Sequence, residues 1–300
     1  MSIRIAVLAG GLGGSRCVDA LARAAGAEAV AAIGNVGDDI EILGLHVSPD
    51  LDTILYTLAG LLDEERGWGV RDETYNALGM AGALGGETWF TLGDRDIGLH
   101  LVRTRLLREG VPLSEATKRL AEALGVHVGL VPATDQPLRT KIETEAGELD
   151  FQEWFVARGH RDRVLGVRFD GAQEAEPAPG VLDAITGAEL VIIAPSNPFV
   201  SIQPILAVGG IRAALEGKRV AAISPLIAGK ALRGPLAEMM TSLGHEPSAA
   251  GVAAVYGDLV DVFVVQPGDE GPPGAVACDI VMVDPNRRAE VGEKLLEALL

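Results

Sequence analysis

At 300 residues and 48% hydrophobic composition, the chain can bury one large core or two unequal lobes, and it is not a disordered polymer. Its formal net charge of -17 argues against nucleic acid and anionic membranes as partners. A small phosphorylated ligand is not excluded, because backbone amides and a bound cation can hold one locally. Two cysteines, Cys17 and Cys278, lack metal-ligand spacing and fit a reducing, cytoplasmic setting without a disulfide framework. No apolar run is long enough for a membrane span, and the N-terminal one, residues 5–8, is too short for a signal peptide.

Residues 3–9 (IRIAVLA) read as a buried strand, followed by GGLGGS, a helix through VDALARAAG and a second strand over 29–34. Strand, glycine-rich turn, helix and strand open an α/β, Rossmann-like, doubly wound and mostly parallel sheet. Ser48 is placed to cap a helix whose first residue is Pro49 and whose apolar face carries Leu51, Ile54, Leu55, Leu58 and Leu62. Further helices are expected over 96–108 and 114–124, and a short strand over 127–131. Residues 140–155 alternate around Ala146-Gly147 and predict a β-hairpin, so 135–180 reads as a small inserted subdomain on a single domain spanning 1–300. Alternation then resumes, with strands expected over 189–194, 219–225, 260–266 and 279–283 and a closing amphipathic helix.

Several loops fall at the carboxyl ends of these strands, where open α/β sheets bind ligands. Gly10, Gly11, Leu12, Gly13 and Gly14 can bring backbone N–H groups and a helix N-terminus to a phosphate. Arg16 stands where the dinucleotide fingerprint needs its third glycine, and no Gly-Lys-Ser/Thr completes a nucleoside triphosphate loop. Asn35 opens NVGDD, whose Asp38 and Asp39 suit Mg²⁺; an Asx turn is the plainer alternative. Asp50 and Asp52 share a first helical turn, where acids favour the dipole, but they project differently, so metal or substrate binding by at least one is expected. The Asp94-Arg95-Asp96 triplet reads as a surface ion network that Arg103 and Arg105 can join. Ser196, Asn197 and Ser201 form a proline-fixed polar loop suited to a phosphate or base edge, and Lys230 with Arg233 brings cations to the same edge. His46, His100, His127, His160 and His245 show no pairing with acid or cysteine and are assigned to surface or core. Trp68, Trp89 and Trp154 are also read as core, although Trp68 could flank a flat heterocycle.

Together AGGLGGSR (9–16), NVGDD (35–39), SPDLDT (48–53), RGWG (66–69), LGDRD (92–96), FQEW (151–154), PSNP with SI (195–202) and SPLIAGKALRGP (224–235) resemble, in order, the 2-phospho-L-lactate transferase family of coenzyme F-420 biosynthesis. The resemblance implies a Rossmann-like core with an α/β insertion, usually dimeric, and the use of Mg²⁺. It implies a reaction in which a guanosine diphosphate adduct of lactate, enolpyruvate or glycerate passes its phosphate-linked acid to the ribityl hydroxyl of the deazaflavin Fo, releasing GMP. Carried over by position, the deazaflavin contacts fall on Asp52 and on Thr91, where some relatives have lysine. In that scheme the glycine turn, Asn35, Ser196, Asn197, Ser201 and Lys230 hold the donor, metal falls among Asp38, Asp39 and Asp50, and Asp50 and Asp52 serve catalysis. Two other classes share parts of the pattern. A nucleotide-sugar-binding regulator of the gluconeogenesis-factor type would not need SPDLDT with LGDRD, and a nicotinamide oxidoreductase is disfavoured by Arg16.

Overall fold

The computed structural model describes residues 4–231 and 234–300; Arg233 lies outside the described residues. The apolar runs become strands because both faces of a parallel sheet are covered and every side chain must be apolar. β1 (Ile5–Ala9) is buried along its length, and α1 (Gly11–Ala25) returns the chain to β2 (Val30–Gly34). A long excursion follows: the hairpin β3 (Ile40–Ile42) and β4 (Leu45–Val47), then α2 (Pro49–Leu58), α3 (Asn76–Ala83), α4 (Asp94–Arg108) and α5 (Leu113–Ala123). β5 (Gly129–Pro132) rejoins the main sheet beside β2. β6 (Arg139–Thr144), β7 (Gly147–Asp150) and β8 (Val164–Asp170) form a separate antiparallel sheet, with β6 in the middle. Then come α6 (Val181–Gly187), β9 (Leu190–Ile193), α7 (Gln203–Ala207), α8 (Ile211–Ala214), β10 (Val220–Ile223), the small hairpin β11 (Leu226–Ile227) and β12 (Lys230–Ala231), α9 (Leu236–Ser242), α10 (Ala249–Tyr256), β13 (Val262–Val265), β14 (Val276–Ala277) and α11 (Arg288–Leu299).

The main sheet has seven strands in the order β14-β13-β10-β9-β1-β2-β5, all parallel. Strand order runs outward in both directions from β1, so the topological switch lies between β1 and β9, where the carboxyl-end crevice is expected to bind ligands. α11 packs on α1 with backbones nearly touching: a Cβ on Gly292 would stand 2.2 Å from the Ala20 carbonyl oxygen. Among the described residues, no helix is long and apolar enough to cross a membrane.

Some expectations need correction. The glycine turn is not a loop ahead of the helix, because α1 begins at Gly11 and Gly11–Ser15 are its first turn. Residues 279–283 are not a strand. Pairing with β13 ends when Cys278 N–H reaches the Val265 carbonyl, and beyond it the amides of Ile280 and Val281 donate to the side chains of Gln266 and Asp279. The hairpin turn sits at Glu145-Ala146, one residue before the expected pair. Ser48 does precede Pro49, but its hydroxyl donates to Asp39 at 2.9 Å and caps no helix amide. Trp154 is core, whereas Trp68 and Trp89 are exposed.

Candidate active site

The β1/β9 switch opens into one cavity of about 780 Å³. Gly10, Gly11, Leu12 and Gly13 line it from the start of α1, Asp38 from the end of β2, and Pro195, Ser196, Asn197 and Ser201 from the end of β9. Asp50 and Asp52 enter from α2, and Thr91 from the segment before α4. Phe151, Phe155, Val156 and His160, from the inserted segment, also line it, with Trp68 and Phe90. The Phe151 and Phe155 rings stack at 5.4 Å, and Phe155 stacks on His160 at 5.6 Å. Asn35, Asp39, Gly14 and Lys230 do not line the cavity.

The glycines serve close packing as well as exposure. A Cβ on Gly10 would meet Asp50 Oδ2 at 2.3 Å, and one on Gly14 would meet Ser196 Oγ at 2.7 Å. Ser196 Oγ donates to the Gly10 carbonyl at 2.7 Å and accepts its N–H at 3.2 Å, which locks β1 to β9 across the switch. Gly10 supplies no side-chain cap to α1, so the first-turn amides, apart from Gly11's, are not closed by a side chain. Gly14 is sealed behind Ser196 and is corrected from ligand contact to packing. Lys230 is exposed on the β11–β12 hairpin, whose Ile227 and Ala231 line the cavity. Asn197 turns its Oδ1 to the Phe199 amide at 2.9 Å, where it caps the turn that follows.

The carboxylates divide by their partners. Asp50 Oδ1 accepts the Gly11 amide at 2.7 Å and Oδ2 accepts Asn35 Nδ2 at 2.9 Å. Asp50 thus braces the turn through both oxygens while still lining the cavity. Asn35, fully buried, also donates to the Val200 carbonyl and accepts the Gly37 amide, a bracing role in place of ligand contact. Burial raises the Asp50 carboxyl to about 6, against the lowering effect of these two hydrogen bonds. Burial, reinforced by the charge of Asp50, pushes Asp38 well above the carboxylate range. Asp38 Oδ1 and Asp39 Oδ1 are buried without hydrogen-bond partners. Two orphaned carboxylate oxygens suit a hard divalent cation that completes its shell with water and phosphate oxygens. Among the described residues, no group of three His, Cys, Asp or Glu side chains converges to hold a metal unaided.

Asp52 faces α4. Arg103 grips both its oxygens, with Nη1 3.0 Å from Oδ2 and Nη2 on Oδ1, and the Ser48 amide donates to Oδ2 at 3.2 Å. His100 Nδ1 lies 3.7 Å from Asp52 Oδ2, and His100 Nε2 lies 3.1 Å from Asp96 Oδ1, which also accepts the Tyr56 hydroxyl. Burial works to raise Asp96, but the His100 ring and Tyr56 hold it below the usual range. Burial likewise works against Arg103's charge, yet Asp52 wins and raises it. His46 Nε2 lies 3.0 Å from Asp39 Oδ2. His46 and His100 therefore do have acid neighbours, against expectation, although His100 is buried as assigned. For His100 a signal was present, since Asp96, His100 and Arg103 fall at i, i+4 and i+7 on one helix face. The Asp-Arg-Asp triplet is no closed network. Asp94 accepts the amides of Asn76 and Ala77 at the start of α3, Arg95 reaches the Arg71 carbonyl, and Asp96 turns inward. Arg105 stays exposed beside Glu109.

The chain is 40% identical to a phosphoenolpyruvate transferase of Streptomyces griseus, covering 98% of both chains. It is 43% identical to the phosphoenolpyruvate transferase of Streptomyces coelicolor over 89% of this chain and 86% of that one. It is 41% identical to that of Thermobifida fusca over 99% and 98%. A crystal structure of a UPF0052-family protein from Bacillus halodurans superposes with a TM-score of 0.61 at 17% identity, covering 90% of this chain and 82% of that one, and shares the fold. The family model of 2-phospho-L-lactate transferase CofD matches residues 5–291, which takes in every element that lines the cavity. By that match and by relatives alike over nearly their whole length, the chain belongs to the CofD family of transferases.

Proposed function

We propose that the protein transfers a phospho-linked small carboxylic acid from a guanosine diphosphate adduct to the ribityl hydroxyl of the deazaflavin Fo, in F-420 biosynthesis. The observation that carries this reading is one cavity lined both by a helix start suited to anions and by a stacked aromatic pair. A diphosphate fits the first turn of α1, where helix amides and the positive end of the dipole favour negative charge. A flat tricyclic ring fits the wall of Phe151, Phe155 and Trp68. Enolpyruvate is the acid of choice, because the relatives compared above are phosphoenolpyruvate transferases.

In this scheme Gly11–Gly13 receive the diphosphate, and Ser201, beside Gly10, faces the donor. Mg²⁺, held by Asp38 at the cavity lining, with Asp39 Oδ1 as a second buried carboxylate oxygen without a partner, would neutralise charge on the transferred phosphate and the departing GMP. Asp52 accepts a hydrogen bond from the attacking hydroxyl and aligns it with the phosphorus, and Thr91 borders the acceptor. Alignment and charge neutralisation matter more than a strong base in phosphoryl transfer. The test is mass spectrometry of the product formed from Fo with each of the lactyl, enolpyruvyl and glyceryl donors. The dehydro product from the enolpyruvyl donor is expected; no product with any donor overturns the reading.

A further inference from the structure

Asp52 is the residue that the reading above places on the attacking hydroxyl, and its surroundings restrict what it can do. Both carboxylate oxygens are taken by a planar guanidinium, a geometry that fixes direction as well as distance. Arg103 is itself wholly buried and held from behind: its Nη1 lies 3.4 Å from His100 Nδ1, and the far nitrogen of that ring faces Asp96. Tyr56 closes the chain on Asp96. Arg103, His100 and Asp96 all rise from one face of α4, whereas Asp52 and Tyr56 rise from α2. A buried ion pair of this kind contributes little net stability compared with apolar packing of the same volume. Arg103 Nε even lacks a partner, so the arrangement is not one optimised for folding alone. It lies against the cavity wall, which Asp52, Asp96, Tyr56 and His100 all line although each is largely buried.

We propose that Arg103, backed by His100 and Asp96, is a positioning residue that fixes the Asp52 carboxylate at the cavity wall, and that Asp52 works as a fixed hydrogen-bond acceptor and not as a proton acceptor. Arg103 acts only through Asp52. Its removal therefore matters while Asp52 is a carboxylate and ceases to matter once that carboxylate is gone.

A double-mutant cycle reads this directly. Arg103→Met, Arg103→Lys, Asp52→Asn and the double variant D52N/R103M are compared for kcat and KM toward the deazaflavin, for GDP affinity by calorimetry, and for Tm. R103M and D52N should each lower kcat/KM for the acceptor by roughly 10²-fold, the cost of a misplaced contact, with GDP affinity unchanged. R103K should fall between them and wild type, since a point charge cannot hold both oxygens. The double variant should be no worse than the poorer single one within about two-fold. Losses that multiply overturn the proposal, as does R103M with wild-type kcat/KM. If R103M does not fold, R103K in the same cycle decides. Crystal structures of wild type and the Arg103 variants give a reading without any acceptor. An Asp52 side chain that keeps its place after the arginine is replaced refutes the inference, and one that swings away supports it, even if the wild type transfers nothing to a deazaflavin.

Discussion

Gly13 lies so close to Pro195 that a Cβ on it would stand 2.2 Å from the Pro195 carbonyl oxygen. Backbone meets backbone at this point, with no flexible side chain to yield. Gly13→Ala and Gly13→Val should therefore destabilise the fold, by about 1–3 kcal/mol as overpacking does, and weaken GDP binding only in step with that loss. Urea unfolding and calorimetry check this. A G13V protein of wild-type stability that binds GDP poorly would show that a side chain here obstructs the diphosphate and not the packing against Pro195.

The buried Asp50 gives stability an unusual pH dependence. Burial pushes its carboxyl up to about 6 from the 3.8 of an ordinary aspartate, so between those values the folded state binds the more protons. Stability therefore falls as pH rises through that window, by at most about 3 kcal/mol from this group. Asp38, raised too, acts with the same sign. Metal-free protein should show a lower urea midpoint at pH 7 than at pH 4.5 relative to Asp50→Asn, which lacks this group's contribution. Parallel profiles for the two proteins would contradict the assignment.

Turnover should stop in excess EDTA and return with Mg²⁺. Asp38→Asn should weaken the dependence on metal concentration and slow transfer. The same substitution should raise the urea midpoint in EDTA at pH 8, because it removes a buried carboxyl with an unpartnered oxygen. In wild type, Mg²⁺ itself should supply the stabilisation. An unchanged rate in EDTA, or a D38N protein less stable than wild type without metal, would show that Asp38 is a structural group.

Phe155 should serve the acceptor alone. It stacks on Phe151 and His160 in the aromatic part of the cavity lining. Phe155→Ala should raise KM for the deazaflavin by roughly ten-fold, the value of one aromatic pair, and leave GDP affinity as it was. Fluorescence titration of the deazaflavin separates the two; loss of GDP binding without loss of deazaflavin binding reverses the polarity of the cavity.

What the sequence made legible was the part governed by local rules. β1, β9 and β10 read as strands because parallel strands are apolar on both faces, and α4 and α5 read as helices within two residues at each end. What it hid was competition between partners. Ser48 has the chemistry of a cap, but the Asp39 carboxylate outbids the helix amides for its hydroxyl. Residues 279–283 have the pattern of a strand, but Gln266 and Asp279 take amides a ladder would need. Asp50 and Asp52 stand two positions apart and look alike, yet one faces Gly11 and the other Arg103. No spacing rule assigns those partners, because they lie 39 and 51 residues away. The aromatic wall was missed for the same reason, since Phe151 and Phe155 read as hairpin flanks until the inserted sheet is set against the crevice.

That inserted sheet is tied to the β2 loop at a single backbone point: the Thr140 amide donates to the Gly37 carbonyl at 2.7 Å. A Cβ on Gly37 would stand 2.5 Å from Thr140 Oγ1, so the two segments bear on each other as well as bond. Asp38 is the next residue in the chain. The peptide that precedes Asp38 is therefore positioned in part by the inserted sheet that carries Phe151 into the same cavity, so the metal-facing and aromatic parts of its lining, from segments a hundred residues apart, are not independent in construction.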